Sequence, residues 1–182
     1  PQEVELSDVS AHLFDHGVAS ASITQLVGVV DELLRVGDWY TRTKSPSEHE
    51  TVAILVVPLL RALGWTPQKM GIEWNRVDVA LFQKLPRDDA NLRVVVEAKR
   101  MNLSCLSAQS QALGYAKGRK ACHRLIVTDG LRYGVYRRTR DGTFLLHAYL
   151  NLARLRSEYQ ILECAGAKEA LLSMAPEWSG EA

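Results

Sequence analysis

Three side chains able to act together stand in the stretch RVDVALFQKLPRDDANLRVVVEAKR, residues 76–100: Asp78, Glu97 and Lys99. Each sits in or beside an apolar run, where a core would take hydrophobic residues. Side chains alternate across a strand, so Glu97 and Lys99 share one face. The turn between the two runs centres near Arg87 and Asp88. A hairpin symmetric about that centre sets Asp78 opposite Glu97, with β-carbons roughly 5 Å apart. Facing carboxylates repel and drive one pKa upward. A hard divalent cation such as magnesium or manganese relieves that conflict. It would keep waters able to attack a phosphorus, and the lysine one strand step away would orient or deprotonate that water. The chemistry indicated is metal-assisted phosphodiester hydrolysis. A bare Glu-x-Lys arises by chance about once in every one or two chains of this length. The weight therefore rests on the combination with Asp78 and a short hairpin. A solvated strand end with a turn-proximal acid is the plain alternative.

The elements that must position these groups follow from periodicity. Residues 7–16 and 21–36 read as helices, the second carrying Ile23, Leu26, Val29, Val30, Leu33 and Leu34 at helical spacing and stopping at Gly37. The polar run TRTKSP, 41–46, is the expected boundary. A further helix begins at Ser47, capped with Glu50, is kinked by Pro58 and ends at Gly64. Strands are expected over 76–83 and 92–99, then a helix in SCLSAQSQALGYAKG ending near Gly118. HRLIVTDG, RYGVYRR and FLLHAYL read as three more strands, the last two joined at a DG turn. A final helix is expected over 157–174. This order implies an α/β sandwich with a mixed central sheet flanked by helices. Its parts are an N-terminal helical extension, 1–40, a main domain, 41–150, and a C-terminal helix, 151–182, packing on it.

In SEHETVAILVVPLLRALGW, RVDVALF, VVVEAKR, AQSQALGYA and LIVTDGLRYGVYR the chain resembles the PD-(D/E)xK nuclease superfamily, and in particular the N-terminal nuclease domain of type I restriction enzyme R subunits. The resemblance covers roughly residues 46–138. It implies a restriction-endonuclease-like fold and a magnesium- or manganese-dependent DNA endonuclease leaving a 5′-phosphate and a 3′-hydroxyl, in a restriction or DNA-processing setting. By the same resemblance Asp78 and Glu97 ligate the metal and Lys99 is the catalytic lysine. Gln111 and Tyr115 match the Gln-x-x-x-Tyr motif, and Glu48 matches an acid that touches the metal through water. An ordinary polar helix face remains open for Gln111 and Tyr115, as does a favourable helix-terminal charge for Glu48. Two positions depart from the family pattern. Asn75 stands where glycine is frequent, and Val79 replaces the usual aromatic.

Nucleic-acid contacts are expected from KGRK, with Lys117, Arg119 and Lys120, and from RYGVYRRTR, with Arg132, Arg137 and Arg138, if both patches flank the acids. A solvated hairpin and loop is the plain alternative. Composition fits a globular cytoplasmic protein of 182 residues, 47% hydrophobic and 24% charged, with net charge +1. Three cysteines with no CxxC pair argue against a zinc site and for a reducing compartment. No membrane span is expected. No phosphate-binding GxxxxGK[ST] loop, dinucleotide GxGxxG or GxSxG nucleophile elbow occurs. Possible partners are DNA, a second copy of the chain and a motor subunit or domain. The rival function is a non-catalytic nucleic-acid-binding or assembly domain that keeps the nuclease fold.

Overall fold

Alternating apolar residues rich in valine decide where the sheet forms. VDVALF becomes β2 (Val77–Phe82) and LRVVVEA becomes β3 (Leu92–Ala98). A computed structural model describes residues 2–180. Pro1, Glu181 and Ala182, the outermost residues of the expected terminal segments, lie outside the described residues. The two strands pair antiparallel with Val79 opposite Val96, Ala80 opposite Val95 and Leu81 opposite Val94. That is the register a symmetric hairpin predicts. It slips only beside the turn, where Phe82 meets Leu92.

Six further strands complete a mixed eight-stranded sheet in the order β1-β2-β3-β4-β5-β6-β8-β7. The edge strand β1 (Met70–Trp74) has no counterpart in the sequence reading. MGIEW does not alternate, because Ile72 is exposed and Glu73 adopts a left-handed φ of 50°. Asn75 (φ 47°) and Arg76 (φ 73°) then turn the chain into β2, and Asn75 makes that bend without glycine. After β3 a 3-10 turn (Cys105–Ala108) and α5 (Gln109–Ala116) cross over to β4 (Arg124–Thr128), which runs parallel to β3. β5 (Arg132–Arg138) and β6 (Phe144–Asn151) extend the sheet antiparallel.

The helix expected over 157–174 is a correction. Glu158–Tyr159 (β7) and Cys164–Ala165 (β8) are short strands around a 3-10 turn, and only α6 (Ala167–Met174) is helical. Glu163 is left-handed (φ 51°), and the backbone of Arg156 and Ser157 passes where a Cβ of Gly166 would sit. A continuous helix has room for neither.

On one face of the sheet lie α1 (Leu6–Asp15), α2 (Ser20–Arg42), α4 (Val57–Ala62) and α6. Val9, Leu13, Leu26, Val30 and Leu33 share one core with Val79, Val96, Ile126 and Leu171. The N-terminal helices are thus part of the packing that holds the sheet. α2 does not stop at Gly37. The Leu131 side chain occupies the space a Cβ there would need, so this glycine serves close packing inside the helix. Pro58 causes no simple kink. α3 (Glu48–Thr51) widens into a π-turn (Val52–Val56) that leads into α4. Proline has no N–H and crowds the carbonyl four residues back, and a wider turn accommodates both. On the opposite face the 3-10 turn and α5 cover Ala80, Val95, Leu125 and Val127 through Ala108, Ala112 and Ala116. Among the described residues, no helix is long and apolar enough to cross a membrane.

Candidate active site

Beyond Val96 one face of β3 stops carrying apolar groups and presents chemistry. Val94, Val96 and Ala98 enter the larger core and Val95 the smaller, so Glu97 and Lys99 stand on the α5 side of β3. Asp78 and Glu97 are stitched reciprocally across the strands. Ala98 N–H donates to Asp78 Oδ2 at 2.8 Å, and Asp78 N–H donates to Glu97 Oε1 at 3.3 Å. Glu97 is 1% exposed, and its Oε2 is buried with no hydrogen-bond partner. Burial first, and the Asp78 charge second, push the Glu97 carboxyl up to about 8; the hydrogen bond from Asp78 N–H, and after it Lys99, pull the other way. A buried, partnerless carboxylate oxygen beside a second carboxylate fits a hard divalent cation. Asp78 and Glu97 are the donors present for it.

Lys99 is fixed at both ends. Its backbone N–H donates to Thr128 O at 2.7 Å, and its Nζ donates to Gln111 Oε1 at 3.2 Å. The crossover from β3 through α5 brings those two side chains together. Tyr115, one turn further along α5, packs against the smaller core, and its carbonyl accepts from Arg119. The structure therefore joins Gln111 to the cluster and leaves Tyr115 in the packing.

Asp129 was not anticipated by sequence reasoning. It is 1% exposed and accepts from the backbone N–H groups of Asn102 (3.3 Å), Leu131 (3.2 Å) and Arg132 (2.8 Å), and from Arg132 Nε (2.9 Å). Arg132 also donates to Leu103 O. This clamp ties the loop after Lys99 to the β4–β5 turn. Its signal in the sequence was the Asp-Gly pair in LIVTDG, which marks a side-chain-to-backbone turn. Asp129→Ala should lower stability by about 3 kcal/mol, because it strips several charge-assisted hydrogen bonds and leaves Arg132 uncompensated. Chemical denaturation with an unchanged m-value checks this.

Asp78 also lines a hollow of about 320 Å³ with His49, Val57, Ile72 and Glu73, in which His49 Nδ1 lies 2.9 Å from Glu73 Oε1. Glu48 lines a separate hollow of about 680 Å³ with Trp39, Tyr40, Lys44 and Arg100. Among the described residues no group of three or more His, Cys, Asp or Glu is placed to hold a metal. Glu48 thus does not join the two acids as a third carboxylate. Ser47 Oγ caps α3 by accepting Glu50 N–H at 3.1 Å, while the Glu50 carboxylate accepts Tyr40 OH at 2.9 Å instead of completing the box.

The expected flanking of the acids by basic patches is corrected. Arg124 pairs with both Val94 and Arg137, so Arg137 and Arg138 lie at the start of β3, the end away from Glu97. The loop holding Lys117, Arg119 and Lys120 enters β4 at that same end. Arg119 binds Asp89 at 2.8 Å and stacks over Trp74, and Arg138 Nη1 donates to the carbonyls of Arg119, Lys120 and Cys122. Only Arg132 is on the Lys99 side, and Asp129 engages it. Arg100, next to Lys99 in the chain, and Lys44 face the separate hollow beside α3. Comparison of the chain with protein-family models, curated proteins and solved structures gives no match.

Proposed function

We propose that this chain is a magnesium- or manganese-dependent endodeoxyribonuclease of the PD-(D/E)xK type, acting through Asp78, Glu97 and Lys99. The observation that carries this reading is the buried, partnerless Glu97 Oε2, held beside Asp78 by reciprocal strand hydrogen bonds with Lys99 one step beyond. Bound between Asp78 and Glu97, the cation would neutralise charge on a phosphate oxygen and polarise it as a Lewis acid. The Lys99 ammonium has three donors and gives one to Gln111. The remaining two are available to an attacking water and a phosphate oxygen, where charge accumulates at the pentavalent stage. Gln111 orients the amine.

Supercoiled plasmid tests the reading. Nicking is expected in magnesium and not in EDTA, and Asp78→Ala should abolish it. Cleavage unchanged in Asp78→Ala would overturn the assignment. A second reading, a nucleic-acid-binding or assembly domain that does not cleave, is favoured by the distance of the arginine-rich end from the acids. Plasmid retention without nicking, in magnesium and in manganese alike, would select it.

A further inference from the structure

At the start of β3 and β4 the sheet ends in cations that no acid faces among the described residues. Arg93, His123, Arg137, Arg138 and Arg140 line a hollow of about 590 Å³, closed on one side by the chain at 179–180, and among the described residues no carboxylate lines it. That volume lies in the usual range for small-ligand sites. Among the described residues neither Arg137 nor Arg140 makes an ion pair. Arg93 Nη2 donates to Ser179 O at 2.9 Å, but its buried Nε has no partner.

Behind them Arg124 is 0% exposed. It lies over the rings of Trp178 (5.2 Å) and Trp65 (5.8 Å). Its Nη1 donates to Ser173 O and Ala175 O at 2.8 Å each, while Nε and Nη2 are unpartnered. Burial, then Arg93, lowers the hold of Arg124 on its proton. His123 is likewise lowered by burial first, then by Arg93, Arg138 and Arg124. Like charges gathered this closely oppose one another unless an anion sits among them.

We propose that this hollow is a binding site for a multiply charged phosphate ligand, separate from the Asp78–Glu97 cluster. Arg93 precedes Glu97 by four residues on β3, which is about 13 Å of strand. Guanidinium groups match phosphate oxygens in planar, two-pronged geometry. Arg137 and Arg140 meet the ligand from the open side, and Arg93 adds its charge from the wall. The polyphosphate of a nucleotide and the backbone of a nucleic acid share this chemistry.

Melting in EDTA tests the site without any contribution from metal chemistry. Millimolar pyrophosphate should raise the melting temperature by about 5 °C over sodium chloride of equal ionic strength. Arg137→Glu with Arg140→Glu should remove that rise, and Asp78→Ala should leave it intact. Arg140→Glu alone, on an exposed turn, should reduce it without disturbing the fold. ATP and a short blunt duplex then separate the two sources: the nucleotide is the ligand if only ATP gives a rise that the arginine variants abolish, and the backbone if the duplex does. No variant-sensitive rise with pyrophosphate, ATP or duplex overturns the site, whatever the outcome of the plasmid assay.

Discussion

Lys99→Ala should slow plasmid nicking by about 10³-fold while hardly moving the melting temperature. Loss of a positioned proton donor or acceptor, or of a cation facing a developing anionic oxygen, costs 10²–10⁴-fold in rate. The same side chain contributes little to the fold: it is only half-buried, and Nζ makes a single 3.2 Å hydrogen bond to Gln111. Lys99→Arg separates two roles, because guanidinium keeps the charge but does not give up a proton. Partial activity in Lys99→Arg assigns electrostatic stabilisation, and inactivity assigns proton transfer. Gln111→Ala should show a smaller loss of the same kind. Wild-type rates in Lys99→Ala would remove the lysine from the chemistry.

Glu97 sets the second large effect, on stability against pH. Its carboxyl rises from an ordinary 4.5 to about 8 in the folded chain, chiefly through burial and then through Asp78. Below pH 4.5 both folded and unfolded chains hold the proton, and the contribution to stability is complete. Between 4.5 and 8 the unfolded chain releases the proton while the folded chain retains it, so stability falls as pH rises and levels off above about 8. A tenfold change in proton affinity is worth about 1.4 kcal/mol, which makes the decline several kcal/mol. In EDTA, melting temperature should therefore drop between pH 5 and 8. Added manganese should restore it most strongly at the alkaline end, because the ion competes for ionised carboxylates. Glu97→Gln should flatten the Glu97 part of the pH slope and weaken the manganese response. A Glu97→Gln protein with the wild-type slope and response would exclude Glu97 as both the titrating group and the ligand.

What the sequence disclosed reflects which forces are local. The Asp78–Glu97 opposition was legible because a short hairpin and its valines fix the register, and a one-residue slip would turn every apolar side chain outward. Lys99 followed from alternation alone. The cap at Ser47 was visible as a pattern, but the partner of Glu50 was not, since Tyr40 arrives from another helix. Strand β1 was missed because a left-handed Glu73 breaks its alternation. The helix expected over 157–174 failed for a tertiary reason, the passage of residues 156–157 against Gly166. The position of the basic residues was partly recoverable. A helix joining parallel strands must return the chain to the opposite end of the sheet, so KGRK after α5 had to arrive far from Glu97. Asp129 looked like an ordinary turn residue, because its partners Asn102 and Arg132 come together only in the folded chain.

The start of the described chain is laced to the segment that leads into the last helix. Val4 N–H donates to Leu155 O and Ser157 N–H to Gln2 O, Glu3 pairs with Arg154, and His12 meets Glu169 on α6. Fraying at one end therefore cannot proceed alone: loosening the first helix also releases the stretch that seats the last. In hydrogen exchange these two segments should open as one cooperative unit, and a protease that clips residues 2–5 should sensitise residues 154–157 to the next cut.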